Sequence, residues 1–290
     1  MNEKTLNHDL KLRFKLPPYS NDFAEYIQSE KDELYSDVKS KNRFFYESRI
    51  RKIIKLILES NLPKKSKILD LGCAGGDISL SLILYKFDVY SIDIKLKTLK
   101  WFNEKARVNK LNTSPILANA CDLPFYDGVF DCVVATEIIE HMYNPGIFIE
   151  EIKRVVKAKG MILLSTPNRE GINFNKAPKF SSIKEVDPKK HFLPVELWYE
   201  RERPEYTGAR HVFEFSKNEL IDFLEGHGLE IDKVTRSTNK ILSNIGIKLP
   251  INYYKMLKID EKYVNSLFNN LLYTALIVRC FKHTHKKSIE

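Results

Sequence analysis

The sequence predicts an α/β fold built on a doubly wound, largely parallel sheet. Two observations predict it. Short apolar runs alternate with helix-like stretches from Lys67 to Ser165, and the first of those runs opens directly into a glycine-rich turn. Strand alternating with helix implies parallel strands joined by right-handed crossovers, with helices on both faces.

Each element has its own signal. Residues 1–20 are polar, end in Leu16-Pro17-Pro18 and read as a loose arm, and the pattern from Asn21 to Asn61 is helical. There Ile50, Ile53, Ile54, Ile57 and Leu58 form one apolar stripe, with Arg51, Lys52 and Lys55 assigned to the opposite face. Lys67–Leu71 reads as a buried strand, Asp77–Lys86 as a helix and Asp88–Asp93 as the second strand. A helix over Lys95–Lys110 leads to a third strand at Pro115–Asn119. Phe130–Ala135 is the fourth strand, Pro145–Lys157 a helix and Met161–Ser165 the fifth strand. Residues 169–215, with six Pro or Gly and many aromatics, break this regularity and read as a lid or substrate loop. Ser216 caps a helix to Gly226 with Glu219 in a capping box; Leu229–Thr235 and Tyr273–Phe281 complete seven strands. The expected division is therefore an N-terminal arm with helices (1–60), a core (61–168), the lid (169–215) and the C-terminal half of the same domain (216–290).

Composition narrows the setting. The net charge of +9, from 47 Lys and Arg against 38 Asp and Glu, favours an anionic partner, although a solvated lysine-rich surface fits equally simply. No apolar run approaches the roughly 20 residues that span a bilayer, and the first fifteen residues lack a secretory pattern. Cys73, Cys121, Cys132 and Cys280 show no CxxC spacing, so a disulfide framework or thiolate zinc site is not expected and a reducing cytoplasm is. Cys121 and Cys132 are most simply small core residues. Nothing in the pattern specifies an oligomeric state.

The chemistry concentrates where the first strand ends, at Asp70-Leu71-Gly72-Cys73-Ala74-Gly75-Gly76-Asp77. Glycines serve where backbone must approach a ligand or take positive φ. An acidic residue, Asp93, closes the second strand, where a carboxylate can accept both hydroxyls of a ribose. The spacing is not GxGxxG, and Asp70 stands two positions before the first glycine. That suits a ligand with an ammonium group better than a pyrophosphate.

This run resembles motif I of class I S-adenosylmethionine-dependent methyltransferases, and the resemblance continues in order over roughly residues 65–235. It implies a Rossmann-like, seven-stranded sheet, mostly parallel with an antiparallel last strand. It implies S-adenosyl-L-methionine as cofactor, with Asp70, Gly72, Ala74, Gly75 and Gly76 cradling its methionine part. Asp93 and the adjacent Ile94 would meet the ribose, Asn119 and Ala120 the adenine edge with Asp122 as neighbour, and Thr136 the sulfonium end. The fifth strand and its exit correspond to Gly160–Asn168. The reaction so implied is in-line methyl transfer, for which the protein supplies approach geometry, desolvation and proton removal.

Glu137-Ile138-Ile139-Glu140-His141 follows the fourth strand. A helix beginning there would place Glu137, Glu140 and His141 on one face, a mixed O/N set suited to Mg²⁺ or Mn²⁺. A capping and pocket-floor role fits the same residues. The fuller Glu-x-x-Glu-His pattern resembles two branches of the superfamily: quinone-biosynthesis O-methyltransferases, and small-RNA 3′-terminal 2′-O-methyltransferases, whose metal site adds a later histidine. His211, in Arg210–Ser216, is similar to that histidine, and also to one that closes substrate pockets in small-molecule members. His141 and His211 are thus candidates both for general base and for metal ligation. In the lid, Phe192, Trp198, Tyr199 and Tyr206 suit stacking, a pocket wall or simple packing, and Lys189, Lys190 and His191 suit an anionic acceptor or solvent. The expected function is O-methylation of a small molecule, glycan or lipid-like precursor. The alternatives are a metal-dependent RNA 2′-O-methyltransferase and a non-catalytic cofactor-binding protein.

Overall fold

The computed structural model describes residues 41–142, 144–171, 179–182, 211–237 and 275–282. In chain order they form helix α1 (Lys41–Glu59), strand β1 (Lys67–Leu71), α2 (Asp77–Leu84), β2 (Asp88–Asp93), α3 (Leu96–Val108), β3 (Ile116–Leu117) and β4 (Phe130–Thr136). Then come α4 (Pro145–Val155), β5 (Val156–Pro167), α5 (Lys217–Gly226), β6 (Leu229–Arg236) and β7 (Ala275–Lys282), with 3-10 turns at Ile139–His141 and Phe180–Ser182. The strands make one seven-stranded sheet in the order β3-β2-β1-β4-β5-β7-β6. Strands β1 to β5 are parallel, and β7 lies antiparallel between β5 and β6. The expected architecture, including the antiparallel last strand, is the observed one.

The alternation of strand side chains builds a core on each face. Leu69, Leu71, Val133, Ala135, Ile162 and Leu164 pack with Phe148, Ile149 and Ile152 of α4. Their neighbours Ile68, Cys132, Val134, Met161 and Leu163 point the other way and meet the α1 stripe of Ile50, Ile53, Ile54 and Ile57. Helices therefore cover both faces, as near-continuous apolar strands require. All four cysteines are free, Cys132 fully buried and Cys121 partly so.

Three expectations need correction. Arg51 and Lys52 do not lie on a solvent face of α1; both are buried. Lys52 reaches past the end of β6, where Nζ donates to the Ser237 carbonyl at 2.5 Å, so a long stem is covered while its charged head finds an acceptor. The third strand shrinks to Ile116–Leu117 because the Asn119 side chain turns the chain, its Oδ1 accepting from Cys121 N at 2.9 Å. The fifth strand instead begins at Val156, directly after α4, and absorbs an irregularity opposite Phe130–Cys132.

The order places β1 between β2 and β4, so the crevice at a topological switch point opens beyond the carboxyl ends of these strands. Behind that crevice, Asp77 at the start of α2 receives the fully buried Lys105 of α3, whose Nζ lies 3.0 and 2.9 Å from its two carboxyl oxygens. Removing one partner of such a buried pair costs about 3–5 kcal/mol. Among the described residues no helix is long and apolar enough to cross a membrane. The arm, the lid residues Lys189, Lys190, His191, Phe192, Trp198, Tyr199 and Tyr206, and the segment 239–270 lie outside the described residues.

Candidate active site

The glycine turn is built by its backbone. Gly72 and Gly76 take φ of 65° and 81°, and Ala74 between them takes 45°. Any side chain at Gly72 would put Cβ 2.2 Å from Ile138 Cδ1, and one at Gly76 would strike the Phe102 ring at 2.3 Å. Only glycine meets both the conformation and the space. Cys73 N donates to Ile92 O at 2.9 Å and Gly76 N to Cys73 O at 2.8 Å, closing the turn against β2.

Beneath this turn sits Asp70, buried, with Oδ2 accepting from Ser79 Oγ at 2.6 Å, while Oδ1 has no partner. Burial pushes its carboxyl up to about 7, against which the Ser79 bonds pull down. A buried carboxylate with one bare oxygen makes the turn above it attractive to a cation. Asp93, at the carboxyl end of β2, braces the turn from the side: Oδ2 accepts from Ala74 N at 3.1 Å and Oδ1 from Lys95 N at 2.9 Å. Burial raises its carboxyl too, opposed by the N–H groups of Lys95, Ala74 and Ile94. Ala118 N donates to Asp93 O at 3.2 Å, which brings the Asn119–Ala120 turn beside the same carboxylate. Ala135 pairs with Leu71 across β1 and β4, so Thr136 ends its strand beside the turn.

The structure thus gathers Asp70, Gly72, Ala74, Gly75, Gly76, Asp93, Ile94, Asn119, Ala120 and Thr136 around one crevice. These residues fit a ligand with an ammonium group over Asp70 and a vicinal diol at Asp93. Sequence reading missed Ser79, which holds Asp70, and Lys105, which holds the start of α2.

The helix expected at Glu137 does not form. Glu137 takes φ of 53°, which ends β4 with a bend, and the following 3-10 turn spans only Ile139–His141. Glu137 instead turns its carboxylate to neighbours on β5 and α1. Its Oε1 accepts from Ser165 Oγ at 2.8 Å and its Oε2 pairs with Arg49 of α1 at 3.1 Å. Glu140 is fully buried; Oε2 accepts from Thr166 Oγ1 at 3.0 Å, and Oε1 has no hydrogen-bond partner, with His141 Nε2 3.9 Å away. Burial, then the nearby Glu137, raises the Glu140 carboxyl well above the usual range.

His211 arrives from the far side of the chain to meet this turn. Val212 N donates to Glu140 O at 2.8 Å, and the His141 and His211 rings lie 5.2 Å apart, edge to face. One ligand atom from each of Glu140, His141 and His211 lies within 4.8 Å of the others. A carboxylate with a bare oxygen and two imidazoles is a donor set for a divalent cation, and Glu137 is not part of it. Ile138, whose side chain packs on Gly72, joins this trio to the glycine turn.

The comparisons with known proteins agree with this geometry. A family profile described as "Methyltransferase domain" matches residues 69–164. The ubiquinone biosynthesis O-methyltransferase of Rickettsia prowazekii is 34% identical over 122 residues, 42% of this chain and 48% of that protein. An uncharacterised protein of Methanocaldococcus jannaschii is 32% identical over 129 residues, 44% of this chain and 53% of that one. The chain spans about half the length of the curated relatives it matches. Among solved structures, a Pyrococcus horikoshii protein superimposes with a TM-score of 0.53 at 19% identity, over 90% of this chain and all of that one. The [4+2]-cyclase SpnF gives 0.53 at 16% identity over 80% of each chain. That cyclase shows that the fold alone does not fix the reaction. Sheet order, glycine turn and profile agree: residues 69–164 match a methyltransferase domain, on a fold shared with the superimposed structures.

Proposed function

We propose that this chain is an S-adenosylmethionine-dependent O-methyltransferase acting on a small molecule with adjacent oxygens, and that Glu140, His141 and His211 hold a Mg²⁺ or Mn²⁺ ion beside the acceptor. The observation that carries the reading is the convergence of these three residues, with Glu140 Oε1 bare, next to the turn that would hold the methyl donor. The cofactor would supply the methyl group as a sulfonium. The cation would grip two vicinal oxygens and lower the pKa of the one to be methylated. The chain's own residues set the approach. Asp93 orients the ribose, Gly72 admits the donor chain close to the backbone, and the field of Asp70 favours its ammonium group. With both imidazoles engaged on the cation, the proton of the acceptor, its pKa lowered, would leave to solvent water. The name of the Rickettsia relatives, ubiquinone biosynthesis O-methyltransferase, supports an oxygen acceptor on a small molecule.

A second reading is favoured by His211 joining Glu140 and His141, because the 3′-terminal ribose of RNA also presents a vicinal diol. Methyl transfer from labelled S-adenosylmethionine to a panel of catechols and to RNA oligonucleotides with free or phosphorylated 3′ ends separates the two. The expected result is transfer to a catechol that stops on chelation, returns with Mn²⁺ or Mg²⁺, and is abolished in Glu140→Ala. Transfer only to RNA with a free 3′ end would select the second reading. Full metal-independent turnover in Glu140→Ala would end the cation role.

A further inference from the structure

Beside the trio, Glu214 is fully buried. Its Oε1 lies 3.1 Å from His211 Nδ1 and its Oε2 has no partner. We infer that Glu214 is a positioning residue, which fixes His211 as the tautomer protonated on Nδ1 and so leaves the Nε2 lone pair for the pocket shared with Glu140 and His141.

A neutral imidazole has one donor and one acceptor nitrogen. Beside an ionised Glu214, whose oxygen at 3.1 Å can only accept, a neutral His211 carries its proton on Nδ1 and leaves Nε2 bare. The alternative tautomer would set two lone pairs against each other over the fully buried carboxyl group of Glu214, at the cost of an unmade hydrogen bond.

The backbone then denies both groups any escape. Val212 N is tied to Glu140 O at 2.8 Å, Phe180 N to Glu214 O at 3.2 Å and Arg169 N to Phe215 O at 3.0 Å. On the side away from the trio, Phe213 and Phe215 are buried against Phe180, with ring centroids 5.1 and 4.3 Å away. The segment that delivers His211 is therefore held at both edges, and Glu214 cannot swing out to solvent. A histidine that binds a metal through one nitrogen commonly donates its other N–H to a carboxylate, and loss of that partner lowers metal affinity by about 10- to 100-fold. The consequence for cation binding rests on the function proposed above; the tautomer assignment does not.

The test is long-range ¹H–¹⁵N correlation on uniformly labelled protein at pH 8, with the His211 ring identified by its loss in His211→Asn. In the wild type, Nδ1 should show the shift of a protonated ring nitrogen and Nε2 that of a bare one. Glu214→Gln, whose amide can either donate or accept, should give a mixed population. It should bind Mn²⁺ about 10- to 100-fold more weakly by calorimetry while retaining its circular dichroism and its affinity for S-adenosylhomocysteine. A wild-type His211 protonated on Nε2 would overturn the inference whether or not the variant folds, and so would an unchanged tautomer in folded Glu214→Gln. A wild type with the expected tautomer and no Mn²⁺ binding would sink the cation reading while supporting the role of Glu214.

Discussion

Replacing Asp70 with Asn should make the folded chain more stable at pH 8 while weakening its hold on the cofactor. In the native state, burial raises the Asp70 carboxyl from its ordinary 3.8 to about 7. A raised carboxyl favours the neutral form, so its contribution to stability is fully present below pH 3.8 and is lost as the pH rises through 7. Ionising the group in place therefore costs about 4 kcal/mol above that range. Asn removes this cost and can still accept from Ser79 Oγ. Its amide nitrogen, placed where Oδ1 now lies bare, becomes a buried donor without a partner, which costs about 1–3 kcal/mol. The net expectation at pH 8 is a gain of about 1–3 kcal/mol, shrinking and then reversing as the pH falls from 7 towards 4. Urea unfolding followed by circular dichroism at several pH values reads this directly. Wild-type and Asp70→Asn curves that run parallel from pH 4 to 8 would refute the assignment of a buried, ionisable Asp70. The same variant should bind S-adenosylmethionine more weakly, because the field that favours its ammonium group is gone. Stability gained at the expense of binding is the pattern expected of a strained functional group.

Two other substitutions probe the crevice. Asp93→Ala should weaken cofactor binding by about 1–3 kcal/mol through lost charge-assisted hydrogen bonds, read by calorimetry with S-adenosylhomocysteine; unchanged affinity would remove the ribose from this carboxylate. Gly76→Ala should lower the melting temperature and abolish cofactor binding together, since its Cβ would lie 2.3 Å from the Phe102 ring at a φ of 81°. A Gly76→Ala protein with normal binding would mean that the turn adapts in a way the packing of Phe102 does not suggest.

The order of strands and helices was legible because apolar runs such as Lys67–Leu71, which ends at Gly72, alternate with longer helical stretches such as Leu96–Val108, whose polar residues fall on one face. The cofactor crevice was legible for a related reason: Asp70, Gly72, Gly76 and Asp93 lie at strand ends whose positions the alternation defines. Arg51 and Lys52 were misplaced because helical periodicity cannot reveal a third neighbour, here Ser237, which lies 185 residues along the chain from Lys52. Glu137 was misplaced because its spacing from Glu140 suggests one helical face, whereas a φ of 53° breaks the helix before it starts. Arg49 and Ser165 then claim its carboxylate, and neither contact is written in local sequence. Glu214 was overlooked for the same reason, since only the fold shows that its carboxyl group turns inward to His211.

The central claim is that the crevice at the ends of β1, β2 and β4 holds S-adenosylmethionine. Titration calorimetry of the full chain with S-adenosylhomocysteine, alongside NAD⁺ as a control, tests it most directly. The account predicts saturable binding of one molecule per chain, competed by S-adenosylmethionine and not by NAD⁺. No detectable heat or competition with S-adenosyl compounds, or preferential binding of NAD⁺, would contradict it.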